Sequence, residues 1–128
     1  MIKIDQEMVL LIHQLLSEQT GGSVGVHDMN LLDSALKGVY ATFDGNELYP
    51  TKEEKGARLG FNLIKNHAFV DGNKRIGVHI MTLFLALNGI ELFHTEKEII
   101  ELGVDIATGK MTYKQLIIWI NKHTRSQP

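Results

Sequence analysis

The chain has 128 residues, 44% of them hydrophobic and 22% charged, which is the composition of a globular protein and excludes a disordered or collagen-like chain. This length is typical of one domain, so we expect a single domain over residues 1–128. The 13 Lys and Arg against 15 Asp and Glu give a net charge of -2. Direct nucleic-acid binding is therefore not expected, although a small basic patch is compatible with this balance.

The sequence has no cysteine and no long apolar run, and these absences exclude further classes of protein. Without Cys, disulfides, thiolate metal sites and cysteine nucleophiles are excluded, so carboxylates and His are left as metal ligands. Residues 1–16 hold a short apolar run broken by polar side chains, which favours an amphipathic helix over a signal peptide. No stretch reaches the roughly 18 uninterrupted apolar residues of a membrane span. We expect a cytoplasmic protein without membrane contact.

The first half of the chain predicts two helices. The first runs from about Asp5, a candidate N-cap, to Gln19. Its apolar residues recur at helical spacing and predict an inward-facing stripe of Val9, Ile12, Leu15 and Leu16. The second helix begins near Asp28 and continues until the polar residues 44–46.

The second half predicts four more helices, three of which begin with a capping box. In that motif a Thr hydroxyl and an acidic or amide side chain three residues later each satisfy a backbone N–H. The pairs are Thr51 with Glu54, Thr95 with Glu98, and Thr112 with Gln115. The third helix ends near His67. The fourth runs from Asn73 to residues 88–89, and we expect it at the centre of an all-α fold because it is apolar around much of its circumference.

The loop between helices three and four, HAFVDGNKR at residues 67–75, contains groups suited to phosphate chemistry. Gly72 leads into a helix, whose start presents unpaired N–H groups and the positive end of the helix dipole, and both attract anions. Lys74 and Arg75 lie in the first helical turn, where the dipole disfavours cations unless something negative is held there. The loop therefore predicts an anion site.

Two side chains before that helix extend the prediction to catalysis. Asp71 is a hard oxygen ligand for Mg²⁺, which prefers one or two carboxylates together with substrate oxygens. His67 could accept the proton of an attacking hydroxyl as a neutral imidazole. A base, a metal ligand, an anion cradle and cationic charge together predict a phosphate-transfer site.

Each of these residues taken alone also has an ordinary structural interpretation. The acid or the amide can be an N-cap, the glycine a turn residue, the two cations solvated charges, and a lone histidine is more often structural than basic. Their contiguity at a helix entrance favours function. Other motifs do not fit, since GxxxxGK[ST] is absent and an EF-hand starting at residue 71 would need Glu where Thr82 stands.

HAFVDGNKR resembles the HxFx[DE]GNxR signature of Fic-domain proteins, and the lysine at position 74 is similar to the Doc (death-on-curing) branch of that family. The similarity covers essentially the whole chain, through residues 21–26, 41–50, 54–57 and 84–89. The resemblance implies a Fic-fold helical bundle with the motif loop at the N-terminus of a central helix.

The resemblance also implies a role for each motif residue. His67 would deprotonate a hydroxyl side chain of a target protein, and Phe69 would anchor the loop in the core. Asp71 would bind the Mg²⁺ that accompanies ATP. The nucleotide phosphates would lie in an anion hole formed by Gly72, Asn73 and Arg75.

Two positions depart from the adenylylating Fic proteins. Those proteins usually have a second glycine where this chain has Lys74, and in the Doc branch the lysine goes with an inverted nucleotide whose terminal phosphoryl group faces the hydroxyl. The implied reaction is ATP-dependent protein phosphorylation, with Lys74 and Arg75 acting beside His67. The longer Fic pattern has Arg where this chain has Val78. His79, on the same helix face as Arg75, is a candidate phosphate contact, and packing at the core edge is an equal alternative.

The chain lacks the [ST]xxxE[GN] inhibitory motif that is common in Fic proteins. The resemblance therefore implies a toxin that is neutralised by a separate, Phd-like antitoxin whose flexible tail folds on binding. Exposed apolar positions on the first two helices are a candidate surface for it. The implied target is translation elongation factor Tu, with inhibition of translation as the result. Two other functions stay open, namely protein adenylylation and a catalytically idle helical binding module.

Overall fold

The structure is a computed structural model that describes residues 1–23 and 25–124. Val24, in the loop that the sequence predicts after the first helix, and residues 125–128 lie outside the described residues. The described chain forms α1 (Gln6–Thr20), α2 (Met29–Gly38), α3 (Lys52–Asn66), α4 (Asn73–Leu87), α5 (Glu96–Thr108) and α6 (Tyr113–His123). The prediction of an all-α fold with six helices is confirmed. None of these helices is both long enough and apolar enough to cross a membrane.

Local side-chain caps set where the helices begin. Asp5 accepts a hydrogen bond from the N–H of Met8 at the start of α1, and complete capping boxes open α5 and α6. Of the two hydrogen bonds predicted for the capping box at Thr51, one forms and the other does not. The Thr51 hydroxyl accepts from the Glu54 N–H at 3.1 Å, but the Glu54 carboxylate accepts from that hydroxyl at 2.9 Å and does not bind the Thr51 N–H.

The second helix ends earlier than the sequence predicts, and a small hairpin replaces its last turns. Strands β1 (Thr42–Phe43) and β2 (Asn46–Glu47) pair antiparallel around Asp44 and Gly45, which both have positive φ, 53° and 80°. Asp-Gly favours this kind of two-residue turn because Gly has no Cβ to hinder positive φ. The hairpin is attached to α3 by the buried Lys55, whose Nζ donates to Glu47 Oε1 at 3.0 Å and to the Tyr49 carbonyl.

Helices α3 and α4 share the centre of the bundle. Helix α4 packs against α1, α3 and α5, while α3 packs against α2, α4, α5 and α6. Glycines let the central pair approach closely, since a Cβ at Gly77 would lie 2.4 Å from Ile64 Cγ1 and one at Gly56 would lie 2.6 Å from a Leu85 methyl. The close contact fixes the end of α3 relative to the start of α4, and residues 67–72 connect these two ends.

The inward face of α1 differs from the predicted stripe. Val9 is fully buried as expected, but Leu15 is 50% exposed, whereas His13 and Ser17 are buried. Ile12 and Leu16 pack against the core as predicted, so the apolar spacing misplaced only Leu15. The buried face includes His13 and Ser17 because the surface that α1 packs against includes polar backbone groups of the motif loop. The buried apolar side chains of the described chain form one cluster. The assignment of residues 1–128 to one domain stays a prediction.

Candidate active site

The residues that the sequence predicts for the site all line one groove. The groove has a volume of about 960 Å³ and is bounded by α1, α4 and α5. Its lining includes His67, Asp71, Gly72, Asn73, Lys74, Arg75 and His79. Clefts that bind small molecules usually have volumes of roughly 300–1,000 Å³. The structure therefore brings the predicted residues together at a place large enough for a ligand, and their roles stay predictions.

The start of α4 lacks a side-chain cap. Gly72 precedes the helix in the left-handed conformation, with φ 77° and ψ 20°, whereas Asp or Thr side chains cap the other five helices described. The N–H of Ile76 donates to the Gly72 carbonyl at 2.9 Å. The N–H groups of Asn73, Lys74 and Arg75 come before it and have no acceptor within the helix. This helix start can therefore bind an anion.

The charges next to this helix start are positive and not neutralised. Helices α1, α3 and α5 carry acidic residues in their first turns, as the helix dipole favours, but α4 carries Lys74 and Arg75. In the described parts of the chain, neither cation forms an ion pair within 4.0 Å. Arg75 Nη1 donates instead to the hydroxyl of Thr20 at 2.8 Å. A neutral partner leaves the guanidinium charge available to a phosphate.

His67 has an uncommon backbone conformation at the end of α3. It follows the last residue of α3 with φ 51° and ψ 48°, in the left-handed region, and is exposed. That conformation costs a non-glycine residue roughly 1–2 kcal/mol, and such strain concentrates at functional sites. The exposed imidazole lines the groove with the α4 N-terminus, as a base for a bound hydroxyl requires.

Asp71 presents an exposed carboxylate at the other end of the loop. Its Oδ1 accepts from the Gly72 N–H at 2.8 Å, and its Oδ2 faces Gly22, where a Cβ would lie only 2.9 Å away. Within residues 1–23 and 25–124, no three His, Asp or Glu side chains form a metal-ligand set. One carboxylate suits Mg²⁺ that takes its other ligands from phosphates and water.

The motif loop is braced from within. The side chain of Asn73 accepts from the Phe69 N–H and donates to the Phe69 carbonyl, both at 3.0 Å. The amide of Asn73 is thus committed to the loop, and its backbone N–H is the group left for an anion. Phe69 is only 2% exposed, which confirms the expectation that it anchors the loop in the core.

The segment before α2 pairs with the same loop. Val26 and Phe69 form an isolated antiparallel bridge, and the Val70 N–H donates to the Gly25 carbonyl at 3.0 Å. The His27 N–H donates to the Ala68 carbonyl at 2.8 Å. Backbone pairing on this side leaves the opposite side of the loop facing the groove.

Three residues at the site escaped the sequence analysis. His13 Nε2 lies 2.7 Å from the Asp71 carbonyl oxygen, Thr20 holds Arg75, and Gly22 makes room for the Asp71 carboxylate. A signal was present, because His13 and Thr20 are seven residues apart and so share one face of the first helix.

The two positions beyond the motif differ in surroundings. Val78, where the Fic pattern has a second arginine, is 8% exposed and adds an apolar side chain to the groove. His79 is exposed and lines the groove one turn beyond Arg75. Among the described residues, Lys74 and Arg75 are thus the lysine and arginine side chains that line the groove at the start of α4, which we call the phosphate end for the proposal below.

These features define a class of protein, namely a small helical protein in which a loop and an uncapped central helix form a cationic site that can bind an anion. The family that matches is described as the Fic/DOC family, and the match covers residues 3–85. Because that is more than half of the chain, the chain belongs to the Fic/DOC family, and it is similar to its Doc members.

Two curated relatives show this similarity. The chain is 43% identical over 72 residues to "Toxin Doc" of Mycolicibacterium smegmatis, a match that covers 56% of this chain and 55% of that protein. It is 28% identical over 109 residues to "Protein kinase doc" of Escherichia phage P1, with 85% of each chain covered. The match thus spans about half the length of the mycobacterial relative and most of the phage relative.

Proposed function

We propose that this protein is a Doc-type toxin that transfers the γ-phosphoryl group of ATP to a hydroxyl side chain of a target protein. The observation that carries the proposal is the uncapped start of α4, which has Lys74 and Arg75 in its first turn and lies in one groove with His67 and Asp71. The names of the two relatives, one a toxin and the other a protein kinase, support the same function.

The residues divide the reaction between them. His67 accepts the proton of the target hydroxyl. The hydroxyl oxygen forms a bond to the γ-phosphorus of ATP, and the bond between that phosphorus and the β–γ bridging oxygen breaks, so that ADP leaves. Asp71 has the exposed carboxylate to hold Mg²⁺, whose charge would neutralise phosphate oxygens. The N–H groups at the α4 start and the guanidinium of Arg75 bind the phosphates. His79 lies one turn further along the groove as an additional contact.

The position of Lys74 supports phosphoryl over adenylyl transfer. A Cβ on Gly103 of α5 would lie 3.5 Å from Lys74 Cβ, so the lysine side chain leaves α4 on the side of α5. It occupies the backbone position at which adenylylating Fic proteins usually have a glycine, and it adds a charge there. We therefore assign Lys74 to the nucleotide and to the orientation of its terminal phosphate.

The remainder of the groove is suited to an antitoxin. Away from the loop it runs along α4 toward Ala86, with Ile99, Val104 and Ala107 of α5 on one side and Leu16 of α1 on the other. From position 72 to position 86 a helix rises roughly 20 Å, enough for several turns of an amphipathic segment. A Phd-like antitoxin whose tail folds here would cover the phosphate end as well. In this proposal the antitoxin contacts the α1 side of the groove and does not contact α2.

Transfer of differently labelled ATP tests the proposal. The purified chain is incubated with elongation factor Tu, or with a cell lysate, and ATP labelled at the γ or the α position. The expected result is γ-label transfer that is lost in His67→Ala and kept in His27→Ala, which removes an exposed histidine from outside the groove. Transfer of α-label would establish adenylylation instead. Transfer of neither label to any protein would favour the binding module.

A further inference from the structure

A buried contact between α1 and the motif loop comes from a residue outside the HAFVDGNKR motif. His13 is 2% exposed, and its Nε2 lies 2.7 Å from the carbonyl oxygen of Asp71. A carbonyl oxygen only accepts hydrogen bonds, so Nε2 must carry the proton and donate it. The two residues are 58 positions apart in the chain, so the bond forms only in the folded protein.

The ring of His13 is fixed in two further ways. It stacks on Phe69 with 3.8 Å between the ring centroids and 13° between the planes. It also packs against Gly72, since a Cβ there would lie 3.6 Å from His13 Nε2. The imidazole therefore touches the loop at its buried anchor, at its metal-ligand residue and at the glycine that precedes α4.

These contacts hold the peptide between Asp71 and Gly72 at both ends. Its carbonyl is bonded to His13, and its N–H is bonded to Asp71 Oδ1 at 2.8 Å. The next carbonyl, that of Gly72, accepts from Ile76 in the first hydrogen bond of α4. Rotation of the held peptide would move Gly72 out of its left-handed conformation and turn the Asp71 side chain away.

We propose that His13 is a positioning residue of the phosphate site: by holding the Asp71 carbonyl it aims the metal-ligand carboxylate and the N–H groups of the α4 start into the groove. The inference rests on the proposed function, since it assigns His13 to that site. His13 itself touches no substrate.

Two substitutions separate this role from simple core packing. His13→Gln keeps an N–H donor at a similar distance from the helix, whereas His13→Leu keeps most of the volume and removes the donor. Val9→Ala is the matched control, because Val9 is fully buried one turn earlier on the same face of α1 and its loss destabilises the core alone. All three are compared with the unmodified chain for melting temperature and for affinity toward ATP with Mg²⁺, measured by calorimetry.

His13→Leu should weaken ATP binding roughly tenfold or more, because it leaves a buried carbonyl without its donor. His13→Gln should restore affinity to within about threefold, and Val9→Ala should lower the melting temperature without changing affinity. The inference is overturned if His13→Leu loses stability as Val9→Ala does and binds ATP as tightly as the unmodified chain.

A second readout does not depend on nucleotide binding. In the ¹⁵N-labelled chain without ligand, the ring of His13 should show its proton on Nε2, protected from exchange with water. His13→Leu should shift the amide resonances of Gly72 and Asn73, and Val9→Ala should not. If ATP does not bind at all but these shifts occur, the proposed function fails and the positioning role stands. An exchanging ring proton with unshifted amides refutes the positioning role itself.

Discussion

Gly22 lies against the side chain that we assign to Mg²⁺, although it lies outside the HAFVDGNKR motif. A Cβ at this position would lie 2.9 Å from Asp71 Oδ2 and 3.7 Å from its Cγ. Because the clash falls on the end of a side chain, the carboxylate can move aside at little cost to the fold. The glycine therefore affects the position of the ligand oxygen more than it affects stability.

We predict that Gly22→Ala weakens ATP binding roughly tenfold when Mg²⁺ is present, equivalent to about 1.4 kcal/mol, and changes the melting temperature little. The added methyl group displaces the Asp71 carboxylate from the ion. Calorimetric titrations with Mg²⁺ and with EDTA measure the effect, which should vanish in EDTA. Gly25→Ala is the control, since its new Cβ meets only Val70 Cγ2, at 3.3 Å. Equal losses with and without Mg²⁺ would contradict the mechanism.

The site residues that follow one another in the motif loop could be predicted from the sequence. The site residues that lie far from the loop in the sequence could not. His67, Asp71 and Arg75 were found because the loop is unbroken and leads into a helix. His13 was not singled out, because its position on an amphipathic helix does not indicate a carbonyl acceptor 58 residues away in the chain. Leu15 was placed inside for the same reason, since periodicity assigns faces by hydrophobicity alone.

The elements were more predictable than their contacts. Helix starts depend on local capping chemistry, so Thr95 and Thr112 indicated the starts of α5 and α6 correctly. The end of α2 was missed because two-residue strands have almost no periodicity, although the Asp44-Gly45 turn was visible. Which helix faces which other helix depends on side chains from both and was not predictable from either one.

Helices α5 and α6 are joined by a side-chain hydrogen bond at the start of α5. Glu98 Oε1 accepts from the Thr95 N–H at 2.9 Å, and Glu98 Oε2 lies 2.8 Å from His123 Nε2. The Thr95 backbone N–H first, and then the side chains of His123 and Thr95, lower the pKa of Glu98 to about 2, from an ordinary value of 4.5. His123 also stacks on Trp119, the only tryptophan of the chain, with ring centroids 3.8 Å apart.

We predict that this contact stabilises the fold above pH 4.5 and that its contribution is lost as the pH falls from about 4.5 to about 2. A carboxylate with a lowered pKa in the folded state binds its proton more readily in the unfolded state, so acid favours unfolding. Glu98→Gln keeps the cap and removes the charge. The difference in melting temperature between the unmodified chain and this variant should therefore shrink as the pH falls through that range.

Circular dichroism gives the melting temperatures, and Trp119 fluorescence shows whether the α5–α6 contact opens locally. Glu101→Gln is the control, because Glu101 lies on the same helix and faces only Lys97, at 3.9 Å between exposed side chains. Its melting curves should follow those of the unmodified chain at every pH. A difference for Glu98→Gln that stays constant from pH 7 to pH 2 would contradict the prediction.

At the scale of the whole molecule, the site exists only when distant parts of the chain have packed. Helix α1 supplies Thr20 to Arg75, residues 25–28 pair with the loop, and α5 closes the far side of the groove. The α3–α4 pair holds both ends of the loop between these parts. A ligand that binds this site therefore binds the folded chain and not the unfolded one, so it must raise global stability.

We predict that ATP with Mg²⁺ raises the melting temperature by roughly 10 °C when the free nucleotide is about 100 times its dissociation constant. This concentration corresponds to about 2.7 kcal/mol, and a chain of this size gains several degrees per kcal/mol. ATP with EDTA should give a smaller rise, and MgCl₂ alone almost none, because one carboxylate binds Mg²⁺ weakly without phosphates. Differential scanning calorimetry at constant ionic strength measures all three.

In Arg75→Ala, ATP with Mg²⁺ should raise the melting temperature far less, because the substitution removes the guanidinium beside the α4 start. Lys37→Ala removes the same charge from an exposed position on α2, outside the groove, and should keep the rise. Equal shifts in the two variants would mean that ATP acts through the net charge of the protein. The two groups are proposed to bind the same ligand through different atoms, Arg75 through the phosphates and Asp71 through Mg²⁺. A rise in melting temperature that depends on Arg75 but not on Mg²⁺ would therefore support the anion site and contradict the assignment of Asp71 as a metal ligand.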